Sequence, residues 1–274
     1  MKAAPDRPAS RTHAASVAEP KPGRSPANRS LERGIELLRA FRPGTALLGN
    51  AELAERAGLS RSTVSRLTQT LVGAGMLQVD ASSRAYRLAP GVLSLAHAMR
   101  AGCAELLVAA PIMRQVAQER RINVGLAAPD RDDMVYLESI RSSRRAAQRN
   151  VVSGQRVPME LTSLGRAYLA TAPENRRKAL LAVFKRRRGA QWPTLAAEIE
   201  QAMEQMRVEG YCVAAWQPEV VALATNLSGS GMPLVVNVSV SSAEPVERVV
   251  RELAPVLLGM AQRIGRELLK VAGD

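Results

Sequence analysis

The sequence has few of the residues on which most enzymes depend. It contains two histidines, His13 and His97, and two cysteines, Cys103 and Cys212. Neither cysteine has a Cys or His close by in the sequence, which argues against a disulfide framework and a thiolate metal site. Nucleophilic Ser-His-Asp or Cys-His machinery is nearly unavailable. We therefore expect no enzyme, no metal and no cofactor, and a reducing cytoplasm is the simplest setting.

Long apolar runs are also missing, since none reaches the roughly 18 residues that a membrane helix needs. With 46% hydrophobic and 23% charged residues, the 274-residue chain suits a soluble globular protein of about two domains. Positive charge is in excess, because 38 Lys and Arg face 25 Asp and Glu, a formal net charge of +13. This excess indicates a polyanionic partner or an anionic surface.

Residues 1–29 carry six Lys and Arg, five prolines and almost no large apolar side chain. Such a segment cannot bury enough surface to offset its ordering entropy, so we predict a disordered basic tail. It either touches DNA or only remains solvated. Two further basic runs, 144–145 and 185–188, are interpreted as solvated helix ends or loops.

Residues 30–93 predict three helices and a hairpin. Ser30 is the expected N-cap of the first helix, whose buried stripe would be Leu31, Ile35 and Leu38. Asn50 would cap a second helix closed by Gly58. A third helix would follow from its cap at Ser60, and strands over 76–80 and 84–88 would form a wing. This order is that of a winged helix-turn-helix.

The third helix has no acidic residue, and Val64, Leu67 and Leu71 form its expected buried stripe. Its other faces would carry hydroxyl, guanidinium and amide groups, which suit a helix lying in a DNA major groove. We predict that this helix with its cap, together with the wing, contacts double-stranded DNA through Ser60, Arg61, Ser62, Thr63, Ser65, Arg66, Gln69 and Arg84.

The rest of the chain predicts an apolar linker helix over 94–108 and a domain over 109–274. Pro111 would lie in the first turn of the next helix. Strands are expected over 123–128, 134–140, 220–227 and 234–240, and helices over 162–171, 174–187, 194–209 and 245–270. Because helices and strands do not alternate regularly, this is an α+β domain on an antiparallel sheet.

Several motifs resemble the IclR family of bacterial transcriptional regulators. They are SLERGIELL over 30–38, ELAERAGLSRSTVSRL over 52–67, YRL over 86–88 and VPMELTSLGRA over 157–167. The resemblance implies a GAF-like C-terminal domain that binds a small-molecule effector, commonly a carboxylate or aromatic metabolite. It also implies a homodimer or homotetramer, in keeping with a palindromic DNA site.

The resemblance further implies which residues line the effector cavity: Val157, Ser163, Leu164, Ala214, Ala222, Ser239 and Ser241. The chain departs from the family pattern at Glu160, where a His is frequent, at Ala214, where an acidic residue is frequent, and at Ala222, where a Cys is frequent. Each cavity residue has an alternative as a core side chain or as a partner of nearby backbone. Arg149 would suit a ligand carboxylate, although a surface role is favoured.

The leading hypothesis is a sequence-specific transcriptional regulator controlled by an effector. One alternative is a ligand-independent architectural DNA-binding protein whose C-terminal domain only oligomerises. The other is a hydrolase that uses Glu160, or Asp132 and Asp133, as acid and base.

Overall fold

The computed structural model describes residues 28–141, 151–217 and 219–273. Its N-terminal part contains α1 (Arg29–Arg39), α2 (Asn50–Ala57), α3 (Arg61–Gly73), β1 (Leu77–Asp80) and β2 (Ala85–Leu88). This order confirms the predicted winged helix-turn-helix. The predicted tail as far as residue 27, the basic pair 144–145 and Arg149 lie outside the described residues.

The first helix differs from its prediction in cap and buried face. Asn28, not Ser30, is the N-cap, because its side-chain oxygen accepts hydrogen bonds from the backbone nitrogens of residues 30 and 31, both at 3.1 Å. The predicted stripe is wrong for Leu31 and Ile35, which are 62% and 43% exposed, whereas Leu38 is half-buried against the core. Leu37 is the fully buried residue of this helix. Residues 34, 37 and 41 satisfy the helical period equally well, and tertiary packing selects that face.

The turn between α2 and α3 forms largely as predicted. Gly49, not Asn50, precedes the first helical residue of α2, and its backbone nitrogen donates to Glu52 Oε2 at 3.0 Å. Gly58 adopts a left-handed conformation, φ 64°, that ends the helix at little steric cost. The Ser60 hydroxyl accepts from the backbone nitrogen of Thr63 at 3.3 Å, which confirms this N-cap.

The wing is an antiparallel hairpin in which β1 pairs with β2. At its turn Asp80 Oδ2 accepts hydrogen bonds from the Ser83 hydroxyl at 2.5 Å and the Ser82 hydroxyl at 2.7 Å. These bonds lower the pKa of Asp80 to about 2. A bridge between Leu48 and Tyr86 ties the wing to the loop before α2, so the hairpin is held in position beside the helices.

The prediction of a single linker helix over 94–108 is wrong. Two helices, α4 (Pro90–Ala101) and α5 (Ala104–Arg120), meet at an 84° bend across residues 102–103. The predicted helix start near Pro111 is wrong too, because Pro111 lies inside α5. Among the described residues no single helix is long and apolar enough to span a membrane, and the bent α4–α5 pair passes only on length and composition.

The C-terminal part is built on six antiparallel strands in the order β5-β4-β3-β8-β7-β6. They are β3 (Asn123–Asp130), β4 (Asp133–Ile140), β5 (Arg156–Pro158), β6 (Cys212–Gln217), β7 (Val220–Asn226) and β8 (Val235–Ser241). Strands β5 and β6 were not predicted. The mixture of helices with a curled antiparallel sheet confirms the α+β class.

Helices cover the two faces of this sheet. They are α5 together with α6 (Ser163–Thr171), α7 (Glu174–Arg188), α8 (Trp192–Glu209) and α9 (Val246–Gly273), with a short 3-10 turn before α8. Strand residues Val124 and Val236 bury with α5 and α9 in one apolar cluster. Cys212 and Ala224 bury with α6, α7 and α8 in the other cluster. Gly165 permits the close approach of α6, since a Cβ there would lie 1.9 Å from the Met159 carbonyl oxygen.

Candidate DNA interface and effector site

The third helix presents its polar residues as a surface. Arg61, Ser62, Arg66 and Gln69 are exposed, whereas Val64 is buried. Thr63 and Ser65 are half-buried beside them. No acidic residue interrupts this face, so a polyanion approaching it meets only donors and positive charge. The predicted buried stripe is partly correct: Leu67 and Leu71 are half-buried, and Thr68 is buried in their place.

At the start of α3, the Ser60 hydroxyl lies within hydrogen-bonding distance of two other hydroxyl groups. Ser60 Oγ lies 3.1 Å from Ser62 Oγ and 2.9 Å from Thr63 Oγ1. The free backbone amides of a helix N-terminus attract anionic oxygens. In the wing, Arg84 is exposed with a left-handed φ of 51°, while Arg87 is held by Asp80 at 2.6 Å. Arg84 is therefore the more available cation of the hairpin.

In the C-terminal sheet, three of the predicted effector residues form one row across adjacent strands. Ala214 on β6 pairs with Ala222 on β7, and Ala222 pairs with Ser239 on β8. Side chains of directly opposed residues point to the same side of a sheet. The row continues to Asn123 on β3, which pairs with Ser239. Two small apolar side chains thus lie beside a hydroxyl and an amide.

Two further residues of this face were missed by the sequence reasoning. Asn237 lies two residues before Ser239, and Gly125 pairs with it from β3. A Cβ on Gly125 would lie 2.5 Å from Asn237 Oδ1 and 2.4 Å from a ring carbon of Tyr136. The glycine therefore allows an amide and a phenol to lie over the strand. The alternation of valine with Asn237, Ser239 and Ser241 along β8 was the signal that could have found Asn237.

The polar groups of this face have unused hydrogen-bonding capacity. The side-chain oxygens of Asn123 and Asn237 are buried with no hydrogen-bond partner among the described residues. Burial raises the pKa of Tyr136 to about 12. A hydrogen bond with the Asn237 side chain and the positive charge of Arg141 act in the opposite direction. Tyr136 thus remains a neutral phenol able to donate at physiological pH. Arg141, at the end of β4, adds a positive charge nearby.

The other predicted effector residues are spread more widely. Val157 on β5 and Leu164 on α6 are buried in the apolar cluster on this face of the sheet. Ser163 is also buried, and its carbonyl oxygen accepts a hydrogen bond from Cys212 Sγ at 3.4 Å, which brings α6 against β6. Ser241 is exposed at the end of β8. The structure therefore brings Ala214, Ala222 and Ser239 together and places Ser241 at the margin.

Glu160 is engaged in ion pairs. It is fully buried, and its Oε1 accepts hydrogen bonds from Arg188 Nε at 2.9 Å and Arg188 Nη2 at 2.6 Å. Arg187 Nη1 lies 3.4 Å from the same oxygen. The run 185–188 ends α7 and residues 185–187 are exposed, as predicted for a solvated helix end. The prediction is wrong for Arg188, which is half-buried and pairs with the buried Glu160 carboxylate.

The carboxylates suggested as hydrolytic groups lie at a turn. Asp132 occupies the tight turn between β3 and β4 and forms an ion pair with Arg187. Burial raises the pKa of Asp133, against the opposing charges of Arg42 and Arg156. Within the described residues no group of three or more His, Cys, Asp and Glu side chains could hold a metal ion.

A winged helix with an acid-free recognition helix, joined to an α+β domain, is the architecture of a DNA-binding regulator with an effector domain. Residues 30–81 match the family model of the IclR helix-turn-helix domain. Residues 105–268 match that of the bacterial transcriptional regulator IclR C-terminal region. The chain belongs to the IclR family of bacterial transcriptional regulators.

Known proteins agree with this assignment. The chain is 32% identical over 245 residues to the HTH-type transcriptional regulator TsaQ1/TsaQ2 of Comamonas testosteroni, covering 87% of this chain and 88% of that protein. It is 34% identical to an IclR-family regulator from Brucella abortus of known crystal structure, with a TM-score of 0.79, covering 90% of this chain and 96% of that one.

A third relative was crystallised with a ligand. It is an IclR homologue from Microbacterium hydrocarbonoxydans in complex with 4-hydroxybenzoate, 22% identical with a TM-score of 0.68, covering 88% of this chain and 99% of that one. At this identity the likeness concerns the fold. Together these relatives confirm that the chain is a transcriptional regulator with a DNA-binding domain and an effector-binding domain.

Proposed function

We propose that this regulator reads DNA with residues 30–93, using the exposed face of α3 in the major groove and Arg84 at the wing. The observation that supports this is the exposure of Arg61, Arg66 and Gln69 on a helix without acids. Arginine can donate two hydrogen bonds to guanine, and glutamine can pair with adenine. Ser60, Ser62, Thr63 and Ser65 are proposed to contact phosphates or base edges.

We propose that the chain forms a homodimer or a homotetramer. No residue of the 12-residue α4 is buried. Three large apolar side chains on this helix, Leu93, Leu95 and Met99, are 73%, 62% and 51% exposed. A second copy would cover these side chains and pair two winged helices on a palindromic site. This role gives α4 the linker function first assigned to 94–108.

The proposed effector is a small carboxylate or aromatic metabolite that binds against the row formed by Ala214, Ala222 and Ser239. An aromatic ring would pack on the small side chains of this row, and Tyr136 would supply a donor. Val157, Ser163 and Leu164 would close the site from the helix side, and Ser241 would lie at its edge. The ligand of the Microbacterium homologue, an aromatic carboxylate, supports this class.

The mechanism we propose is a shift between two arrangements of the C-terminal domains. An effector that binds one arrangement more tightly raises its population. The α4–α5 pair would then pass the change to the spacing of the two winged helices. In this account the chain acts in the cytoplasm, has no catalytic activity and does not contact a membrane. Glu160, neutralised by arginines, is structural.

Thermal unfolding of the purified protein with a panel of aromatic and aliphatic carboxylates, including 4-hydroxybenzoate, tests the effector site. A ligand at about 100 times its Kd stabilises the native state by about 2.7 kcal/mol. The same ligand should have a weaker effect on Ala222→Leu, which fills the row, and an unchanged effect on Ser241→Ala. If no member of a broad panel shifts Tm, the effector proposal fails and the ligand-independent architectural alternative gains support.

A further inference from the structure

A cavity lies between the winged helix and the C-terminal domain. Its volume is about 710 Å³. It is bounded by α1, α2 and the loop between them on one side, and by the β3–β4 turn, β5 and α7 on the other. Six arginines line it, three from each domain: Arg39, Arg42, Arg56, Arg131, Arg156 and Arg187.

Ion pairs across this boundary hold the two domains together. Asp130 Oδ2 lies 2.6 Å from Arg39 Nη2 of α1 and 2.5 Å from Arg156 Nη2 of β5. Glu36 of α1 pairs with Arg131 of the β3–β4 turn. The side chains of Arg39 and Arg156 are only 22% and 20% exposed, so solvent screens their two pairs with Asp130 less than it screens ordinary surface pairs.

The carboxylates do not balance the arginines. Among the described residues, three carboxylates line the cavity against six guanidinium groups: Glu36, Asp132 and Asp133. Counting Asp130 behind the lining, and Glu160 together with its partner Arg188 next to Arg187, leaves an excess of two positive charges. Arg42 is exposed and forms no ion pair within 4 Å and no side-chain hydrogen bond with the described residues, and its positive charge acts on the Asp133 carboxylate. A group of like charges held in a half-enclosed space favours the binding of an anion.

Burial and neighbouring charges both act on these cations. Burial lowers the pKa of Arg156. The charges of Asp130 and Asp133 oppose this shift, and those of Arg39 and Arg42 add to it. Burial also lowers the pKa of Arg187, as do Arg188 and Arg42. Arginine nevertheless remains protonated in proteins. The repulsion therefore persists at neutral pH and would be relieved by a bound anion.

We propose that this cavity binds a small multivalent anion carrying phosphate or carboxylate oxygens, held by Arg42 from the winged helix and by Arg156 and Arg187 from the C-terminal domain. Guanidinium groups bind both kinds of oxygen through paired hydrogen bonds. The site is distinct from the proposed effector row. Asn123 in that row and Asp130 beside the cavity lie at opposite ends of β3, about 23 Å apart at roughly 3.3 Å per residue.

A ligand held by both domains would fix their relative arrangement. Because binding free energies are reciprocally linked, an anion that changes operator affinity must have its own affinity changed by operator DNA by the same factor. The cavity would thus provide a second chemical input to the regulator. Binding at this site can be measured without DNA, and its weakening in Arg42→Gln distinguishes it from binding at the effector row.

The test is a titration of the full chain with sodium phosphate and, separately, with succinate, each against sodium chloride at matched ionic strength, with Tm and calorimetry as readouts. We expect saturable binding of phosphate, succinate or both. Binding of phosphate but not succinate would indicate a phosphorylated ligand. Binding of succinate but not phosphate would indicate a dicarboxylate. If phosphate and succinate have no more effect than chloride, the proposal is overturned.

Arg42→Gln provides the specific variant, because Arg42 is exposed and its loss removes no ion pair within the described structure. We expect about a tenfold loss of anion affinity, the effect of one charge-assisted hydrogen bond. Arg251→Gln, which removes an exposed arginine on α9, is the matched control and should bind as the wild type does. Equal anion affinity in Arg42→Gln and wild type would overturn the assignment.

Discussion

Truncation of the arginines on α3 should weaken DNA binding while leaving the fold intact. Arg61 and Arg66 are exposed, and their side chains form no ion pair or hydrogen bond within the described structure. Replacing either by alanine should therefore change the free energy of unfolding by less than about 0.5 kcal/mol. If the lost contact was to a base, operator binding should weaken by about 1 to 3 kcal/mol, or roughly 5- to 150-fold.

Salt dependence separates the two kinds of contact. A lost phosphate contact should weaken operator and scrambled DNA alike and reduce the slope of log affinity against log salt by about 0.9. A lost base contact should leave the slope unchanged and reduce the preference for the operator. The assay is fluorescence anisotropy with the upstream intergenic DNA at four salt concentrations. Arg120→Ala, at an exposed position on α5, serves as control. Wild-type affinity and slope in both α3 variants would refute the recognition-helix assignment.

Three further predictions concern stability and reactivity. Gly165→Ala should lower the free energy of unfolding in urea by about 1 to 3 kcal/mol through overpacking. In Gly259→Ala the new Cβ meets nothing within 4 Å, so the free energy of unfolding should rise by up to about 1 kcal/mol. The pKa of Asp80 is lowered from 3.8 to about 2, so its carboxylate should stabilise the wing above pH 4 and lose this effect as the pH falls toward 2. The difference in unfolding free energy between wild type and Asp80→Asn should therefore decrease as the pH is lowered. Cys103 and Cys212 are buried, and burial raises the pKa of Cys212 to about 12, so iodoacetamide at pH 8 should modify neither without denaturant.

Local sequence signals predicted the order of elements well. Gly58 and Ser60 marked the helix-turn-helix junction because a left-handed glycine and an N-cap serine act within one turn of chain. Periodicity did not reveal which of two equivalent stripes of α1 faces the core. Leu31 and Leu37 are equally apolar, and only packing on α2 and α3 distinguishes them. The α4–α5 bend was missed because an alanine-rich pattern continues through it.

The candidate sites were predictable to different degrees. The DNA surface depends on one helix and could be read from its spacing. The effector row depends on strand register, and the edge strand β6, which carries Ala214, was not predicted. Asn123 pairs with Ser239, which lies more than one hundred residues further along the chain. The cavity between the domains joins Arg39 to Asp130 across a comparable separation, which no local pattern could reveal.

The most direct test of effector control measures operator affinity for wild type and Ala222→Leu, with and without pooled aromatic and aliphatic carboxylates. We expect one pool to change the wild-type affinity, and Ala222→Leu to bind the operator normally without responding. Normal operator binding also shows that the variant is folded, and Ser239→Ala provides a milder change on the same row. A full response in Ala222→Leu would contradict the proposed site. Binding that no pool alters, and that is equal on scrambled DNA, would contradict effector control and leave the net charge of +13 as the main determinant of DNA affinity.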